Sequence, residues 1–331
     1  MRYRMAGLLG CWVTGLLGCW VTGLLGDWVT GYPASRILHP ASRILHPASR
    51  ILHPASRILH PASRILHPAS CILLFLFTFH VSLITCYAQE LKPVSNGSFT
   101  YGEKLTFKVY YDSYLTGKVT AGTGSLEVQE EPVEVSGRKT YHIIGEGKSK
   151  GAFNLFFKVN DRFESWVDVE YLVPWKFKRN TREGDYEYKD EVKFNQLTGS
   201  YSSARANRKM PVGTHDIISA YFHARNFDFS GLKPGDIYPI NFILDDSLYL
   251  SVIKFVGREV VTTELGSFNC LHFKPMVVTG AVFSQPYPMD LWISDDKNHI
   301  PILAKSAVVV GSVKMELVDY KGLKNQVNGE K

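Results

Sequence analysis

Leu105-Thr106-Phe107-Lys108-Val109-Tyr110-Tyr111 is the stretch that decides the fold. Leu105, Phe107, Val109 and Tyr111 fall on one side, with Thr106 and Lys108 on the other. A period of two is the signature of a half-buried β-strand, because successive side chains of an extended chain point to opposite faces. Working outward, similar segments are expected at Ser125–Val128, Thr140–Ile144, Phe163–Val169, Trp175–Arg179, Tyr186–Phe194 and Ile237–Leu244. The series continues with Leu248–Val256, Glu259–Thr263, Asn269–Val278, Asp290–Ser294, Ile300–Ala304 and Val308–Val318. Turn chemistry separates them at Leu115-Thr116-Gly117, Ser136-Gly137, Lys233-Pro234-Gly235-Asp236, Asp245-Asp246, Gly257-Arg258 and Asp295-Asp296-Lys297-Asn298. That spacing describes an antiparallel meander.

One segment departs from period two. Thr214 can cap a helix over His215–Arg225, in which Ile217, Ala220, Tyr221 and Ala224 share a face at helical spacing; the helix is expected over about 214–226. The predicted fold is therefore mainly β: a single antiparallel curved sheet, or an incomplete or closed β-barrel, with one helix packed on it. Aromatic residues make up 13% of the chain. They fill the core of such a sheet or line a cavity within it.

Ahead of the sheet, Cys71–Ile84 is an almost unbroken apolar run followed by Thr85-Cys86-Tyr87-Ala88-Gln89. It is short for a bilayer span and ends in small residues, the layout of a secretory signal over 71–88, cleaved between Ala88 and Gln89. Export then gives a periplasmic or cell-envelope protein with a domain over 89–331. The alternatives are an uncleaved N-terminal anchor or a lipidated Cys86, although Thr85 is a poor residue before a lipidated cysteine.

Residues 1–70 repeat without variation. Gly-Leu-Leu-Gly-Cys-Trp-Val-Thr occupies 7–14 and 15–22 and returns at 23–30 with Asp27, and Pro-Ala-Ser-Arg-Ile-Leu-His then runs five times from Pro33 to His67. Solenoid repeats are longer, roughly 20–45 residues, and vary between copies. A proline every seventh residue also defeats a continuous helix. This prefix reads as a start placed too far upstream rather than native structure. A membrane anchor over the uncharged Ala6–Gly26, behind Arg2 and Arg4, is the alternative.

Separating prefix from domain changes the electrostatics. Of 37 basic and 31 acidic residues, seven arginines and Asp27 precede residue 89, leaving 30 of each (37 − 7 and 31 − 1). Balanced charge offers no footprint for nucleic acid. Cys270 is the one cysteine of the exported part, so an internal disulfide is excluded and a packed core must supply stability.

Candidate chemistry is sparse. Gly147-Lys148-Ser149-Lys150-Gly151 has the form of a nucleophile elbow after a strand, which would make Ser149 the nucleophile of a hydrolase. The parallel βα framework of such enzymes is missing, and the flanking lysines suggest a solvated loop. A phosphate loop fails because His142 stands where its first glycine belongs. The histidines His142, His215, His223, His272 and His299 form no metal spacing. His215 and His223 point about 80° apart if both lie on one helix. Cys270 and His272 share a strand face as a possible ligand pair, with core packing the simpler reading. Asp245-Asp246 and Asp295-Asp296 are expected to bond their own turns. Asn96-Gly97-Ser98 is a sequon in form only. No catalytic, cofactor or metal residues are assigned, and a non-enzymatic protein is expected.

Phe99-Thr-Tyr-Gly-Glu-Lys-Leu-Thr-Phe-Lys-Val109, Val159-Asn-Asp-Arg-Phe-Glu-Ser-Trp-Val-Asp168, His215–Arg225 and Leu291-Trp-Ile-Ser-Asp-Asp-Lys-Asn-His-Ile-Pro301 occur in order. Together they resemble the bacterial family called domain of unknown function 3108, over about Phe99–Leu323. The resemblance implies an exported protein of Gram-negative cells and assigns no catalytic residues. The hairpin Trp292…Asp295…Pro301 is also similar to one in periplasmic lipoprotein carriers, whose open barrels shelter acyl chains. The function expected is a non-enzymatic envelope protein binding a hydrophobic or amphiphilic ligand, or alternatively an assembly factor that binds another envelope protein.

Overall fold

The computed structural model describes residues 90–114, 117–151, 153–156, 158–276, 289–307 and 312–330. The repeat prefix, the apolar run, Cys86, Ala88 and Gln89 lie outside the described residues, as do parts of the strands expected to end at Val278 and to begin at Val308.

The strands are β1 (Lys104–Ser113), β2 (Gly117–Val128), β3 (Val133–Val135), β4 (Arg138–Ser149), β5 (Asn160–Asp168), β6 (Pro174–Glu183), β7 (Tyr186–Asn195) and β8 (Ser200–Ser202). They continue with β9 (Asn207–Lys209), β10 (Ile237–Leu244), β11 (Ser247–Thr263), β12 (Gly266–Pro275), β13 (Met289–Ser294), β14 (Pro301–Ala307), β15 (Ser312–Lys321) and β16 (Gly329–Glu330). Among the described residues, one turn of helix, α1 (Phe153–Phe156), and one longer helix, α2 (Ile217–Ala224), complete the set. All strands join one antiparallel sheet in the order β10-β11-β12-β13-β14-β15-β1-β2-β4-β5-β6-β7-β8-β9, with β3 on β4 and β16 on β12. Among the described residues its ladder does not close into a barrel.

Alternation builds the interior. In β1, Leu105, Phe107 and Val109 are fully buried, and the residues between them are only partly covered. Each buried aliphatic or aromatic side chain contributes about 1.5–3 kcal/mol relative to exposure. Two apolar clusters result. One gathers β1 with β11–β15; the other gathers β4–β8 with β10 and α2.

Turns follow the residues that permit left-handed backbone. Ser136-Gly137 (φ 54° and 72°) and Asp245-Asp246 (φ 47° and 58°) are two-residue hairpin turns, whose central residues both need positive φ. Gly257-Arg258, expected as a turn, lies instead inside the 17-residue β11. There Val256 is an extra residue between the pairs Phe255–Phe273 and Gly257–His272. Glycine tolerates such a bulge, so the strand bends without ending.

The helix starts later than expected. His215 is drawn into an isolated bridge with Phe242 of β10, and Thr214 gives its hydroxyl to the Pro211 carbonyl at 2.6 Å. Asp216 caps α2 instead, accepting from the Ile218 and Ser219 amides at 2.8 and 2.9 Å, while Ser219 Oγ accepts from the Asp216 amide at 2.9 Å. This reciprocal pair is a capping box. Ile217, Ile218, Ser219, Ala220 and Phe222 are all buried. The helix is enclosed on more than the single face its spacing suggests, because it runs across the sheet interior between α2-facing strands β5 and β10.

Candidate functional site

Where α2 ends, Arg225 is the largest fully buried side chain among the described residues. Its guanidinium meets Glu103, at the head of β1, with Nη1–Oε1 at 2.5 Å and Nη2–Oε2 at 3.0 Å, and both side chains are 1% exposed. Nε donates to the Asn298 carbonyl at 2.8 Å and Nη2 to the Ser98 carbonyl at 2.9 Å. The Arg225 carbonyl accepts from Ser98 Oγ at 2.7 Å and from His299 Nδ1 at 2.6 Å. One residue thus ties the leader, the first strand and the β13–β14 hairpin to the helix. A paired, fully hydrogen-bonded buried charge suits this role; stripped of its partner it would be costly.

Beside this hub lies a cavity of about 30 Å³, lined by apolar Phe229, Ile253, Phe273, Leu291 and Ile293 with Arg225 and His299 at its rim. That is room for about one water; ligand sites are commonly 300–1,000 Å³.

His215, just ahead of α2, and His223, in its last turn, stand with ring centroids 4.6 Å apart. This differs from the 80° separation expected of two residues on one helix, because His215 precedes the helix. Burial holds His215 well below the ordinary histidine range, with His223 as a second cause, and burial brings His223 down to about 4. Both rings are therefore neutral near pH 7. Asp216 is pushed the other way by burial, to about 6, against the opposing hydrogen bonds from Ser165 and the helix amides.

The larger recess is polar and open. It measures about 620 Å³ and runs over β5–β8, lined by residues such as Arg162, Glu164, Lys178, Asn180, Lys189 and Glu191. A neighbouring recess of about 420 Å³ extends it toward β4 and shares Arg162, Asn180 and Lys189. Charges of both signs alternate across it: Arg162 reaches Glu164 at 3.0 Å and Glu146 at 2.7 Å, and Lys178 reaches Glu191 at 3.0 Å. At its margin Asp190 is raised to about 6, first by burial and then by Asp246 and Asp245.

The residues singled out by sequence are placed as follows. Ser149 is no part of a solvated loop: it ends β4 and is buried, because its hydroxyl donates to Asn154 Oδ1 at 2.6 Å and accepts from the Val159 amide at 2.8 Å. Cys270 and His272 are not brought together. Cys270 and Leu271 are successive buried residues, so strict alternation fails there. Burial raises the Cys270 thiol to about 12, whereas His272 stacks on Trp292 and bonds Asp290 at 2.8 Å and Glu259 at 3.0 Å. Among the described residues no group of three or more His, Cys, Asp or Glu could hold a metal ion. Asp296 does bond its own turn, accepting from the Asn298 amide at 2.7 Å. Asp245 and Asp246 instead reach across to Arg179 at 3.0 Å and Arg205 at 2.8 Å, since a turn with two positive φ values aims both carboxylates outward. Asn96 is consumed structurally by Phe99 and Tyr141. Sequence reasoning missed the Glu103–Arg225 pair; its one signal was an arginine closing an otherwise apolar helix.

A family model described as "Protein of unknown function (DUF3108)" matches residues 106–318. No curated protein matches the chain in sequence. Among solved structures the chain is similar to a β-barrel-like protein of family DUF1849 from Brucella abortus, at 10% identity and a TM-score of 0.45, over 68% of this chain and 99% of that one. It is similar to a Bacteroides fragilis protein described as exported, with a YmcC-like fold, at 12% identity and a TM-score of 0.27, over 69% and 99% of the two chains. A Parabacteroides distasonis protein described as a lipoprotein is similar at 13% identity and a TM-score of 0.27, over 70% and 100%.

Proposed function

This chain belongs to the DUF3108 family of proteins of unknown function, and from that premise we propose that it is an exported, non-enzymatic cell-envelope protein that binds another envelope protein across the outer face of β4–β8. The apolar run and small residues before Gln89 support export. The observation that carries the binding reading is the open recess of about 620 Å³ over β5–β8 and the alternation of charge within it. A polyanion or anionic bilayer would favour a surface of one sign. Interleaved arginine, lysine and glutamate suit a protein surface with complementary charges, where such groups fix register and steer encounter.

Site-specific photo-crosslinking in cells tests this. A probe at Asn180 or Lys189 is expected to capture a discrete protein, and a probe at Val260, on the distant β11, is expected to capture none. Equal, diffuse capture from all three positions contradicts the assignment.

A second reading, an amphiphile held in the interior, is favoured by the amphiphilic lining of the cavity beside Arg225. At about 30 Å³ that cavity would have to grow about tenfold to reach ligand size.

A further inference from the structure

The sheet repeats one plan twice, first through β1, β2, β4, β5, β6 and β7 and again through β10 to β15. Each copy opens on a Gly-acid turn: the Gly102 amide bonds the Val128 carbonyl at 3.0 Å and the Val128 amide bonds the Glu103 carbonyl at 2.8 Å, and Gly235, Phe255 and Asp236 repeat this at 2.9 and 2.8 Å. In the third and fourth strands His142 lies opposite Trp166, and His272 opposite Trp292. The ring centroids are 4.4 and 4.5 Å apart, and an acid two residues before each tryptophan, Glu164 or Asp290, holds the histidine Nε2 at 2.8 Å. A bulge follows each tryptophan, facing Pro174 in one copy and Pro301 in the other. Two residues before each proline stands a left-handed residue, Leu172 (φ 52°) or His299 (φ 48°). The first strands are exchanged: β1 packs in the cluster of β11–β15, and β10 in that of β4–β8.

Such a plan has two equivalent joints, where the last strand of one copy meets the first strand of the other. They are finished differently. At β15–β1 the ladder runs for nine residue pairs, from Lys104–Lys321 to Asp112–Ser312. At β7–β10 it is interrupted, because residues 196–233, carrying β8, β9 and α2, enter between them. The free side of β10 receives two backbone bonds, from the His215 amide to Asn241 at 2.9 Å and from the Ile243 amide to His215 at 2.8 Å. The rest of the joint is apolar packing of β10 against β4–β8 and α2, and side-chain ties to one turn, among them Ser203 Oγ to the Asp246 carboxylate at 2.5 Å. Tyr201 Oη reaches the Asp246 carbonyl at 2.8 Å, Arg208 reaches the same oxygen at 3.1 Å, Arg205 pairs with the Asp246 carboxylate at 2.8 Å, and Arg179 pairs with Asp245 at 3.0 Å.

We infer that the β7–β10 joint is a built-in opening of this barrel-like sheet: the β8–β9 arm detaches from the Asp245–Asp246 turn while the equivalent β15–β1 joint stays shut. The arm's own ion pair, Arg205 with Asp246, is half-exposed on its arginine side, adds at most about 1 kcal/mol and weakens with salt, while the buried Arg179 of β6 keeps its pair with Asp245; the nine-pair ladder at β15–β1 opens at far greater cost. The inference stands on the repeated plan and its one broken joint, and is independent of what the outer face binds.

Residue-resolved amide hydrogen exchange on the full exported domain tests it. The hydrogen-bonded amides of His215 and Ile243 are expected to exchange at least about tenfold faster than those of β1 bonded to β15, as sub-global opening requires. The gap should widen as salt rises. Asp246→Asn keeps a residue that tolerates the left-handed turn while removing the charge, and should accelerate His215 and Ile243 without changing β1. A difference of less than tenfold between the joints overturns the inference, and so does an Asp246→Asn variant that leaves the β7–β10 joint unchanged or accelerates both joints alike.

Discussion

Glu103→Gln is the substitution whose cost follows most directly from the structure. The Arg225 guanidinium is 1% exposed and spends its donors on Glu103, Asn298 and Ser98. Glutamine preserves shape and one acceptor but removes the negative charge, leaving a cation inside the protein with carbonyls and the rings of Phe99, Tyr221 and Phe222 around it but no carboxylate bonded to it. Breaking a buried pair from one side costs about 3–5 kcal/mol. For a domain of this size each kcal/mol lowers the melting temperature by about 2–4 °C, so a drop of roughly 6–20 °C is expected. Urea unfolding followed by tryptophan fluorescence gives the free energy, and calorimetry gives the temperature. Because the Arg225 carbonyl also holds Ser98 and His299, exchange at amides 96–99 should rise before global unfolding. The double variant Glu103→Gln/Arg225→Met should cost less than the sum of the two singles, as residues in one network do. A loss below about 1 kcal/mol for Glu103→Gln, the scale of a surface pair, would refute the view that this pair is the hub of the domain.

Four further outcomes are expected. Ser149→Ala should destabilise by about 1–3 kcal/mol, since it leaves the buried Val159 amide without its 2.8 Å acceptor; unchanged denaturant stability would contradict that structural role. Gly322→Ala should be poorly tolerated, because φ is +67° and an added Cβ would fall on the Gly102 carbonyl; a melting temperature equal to wild type would contradict the close approach. With His223 held at about 4 in the fold against 6.5 when unfolded, its stabilising contribution is complete above pH 6.5 and lost as pH falls toward 4. His223→Gln should therefore reduce the stability lost between pH 7 and 4.5 by on the order of 3 kcal/mol, measured by urea titration at both values. Mass spectrometry of the exported form should find Gln89 at its N terminus, and peptides carrying Pro-Ala-Ser-Arg would contradict the signal assignment.

How far the sequence could be read depended on whether the relevant signal was local. Ile237–Leu244 was legible to the residue, because apolar alternation and flanking turn residues coincide there. The short polar strands β8 and β9 were not legible: Asn207-Arg208-Lys209 is exposed throughout and carries no period. Gly257 misled for a definable reason, since a glycine that bends a strand and one that ends it look alike without the partner strand. The helix was visible in its spacing, but its start was set by His215 pairing with β10, a tertiary event. The same limit hid the functional geometry. Glu103 and Arg225 are 122 residues apart, and the opposed His–Trp pairs of the two copies become equivalent only when their strands are aligned.

Native mass spectrometry of the protein released gently from the cell envelope tests the central claim most directly. The account predicts the bare mass of the folded domain, with a discrete protein partner that dissociates when Arg162, Lys178 and Lys189 are reversed to glutamate. A small-molecule adduct retained by nearly every folded molecule, and unaffected by those reversals, would contradict it.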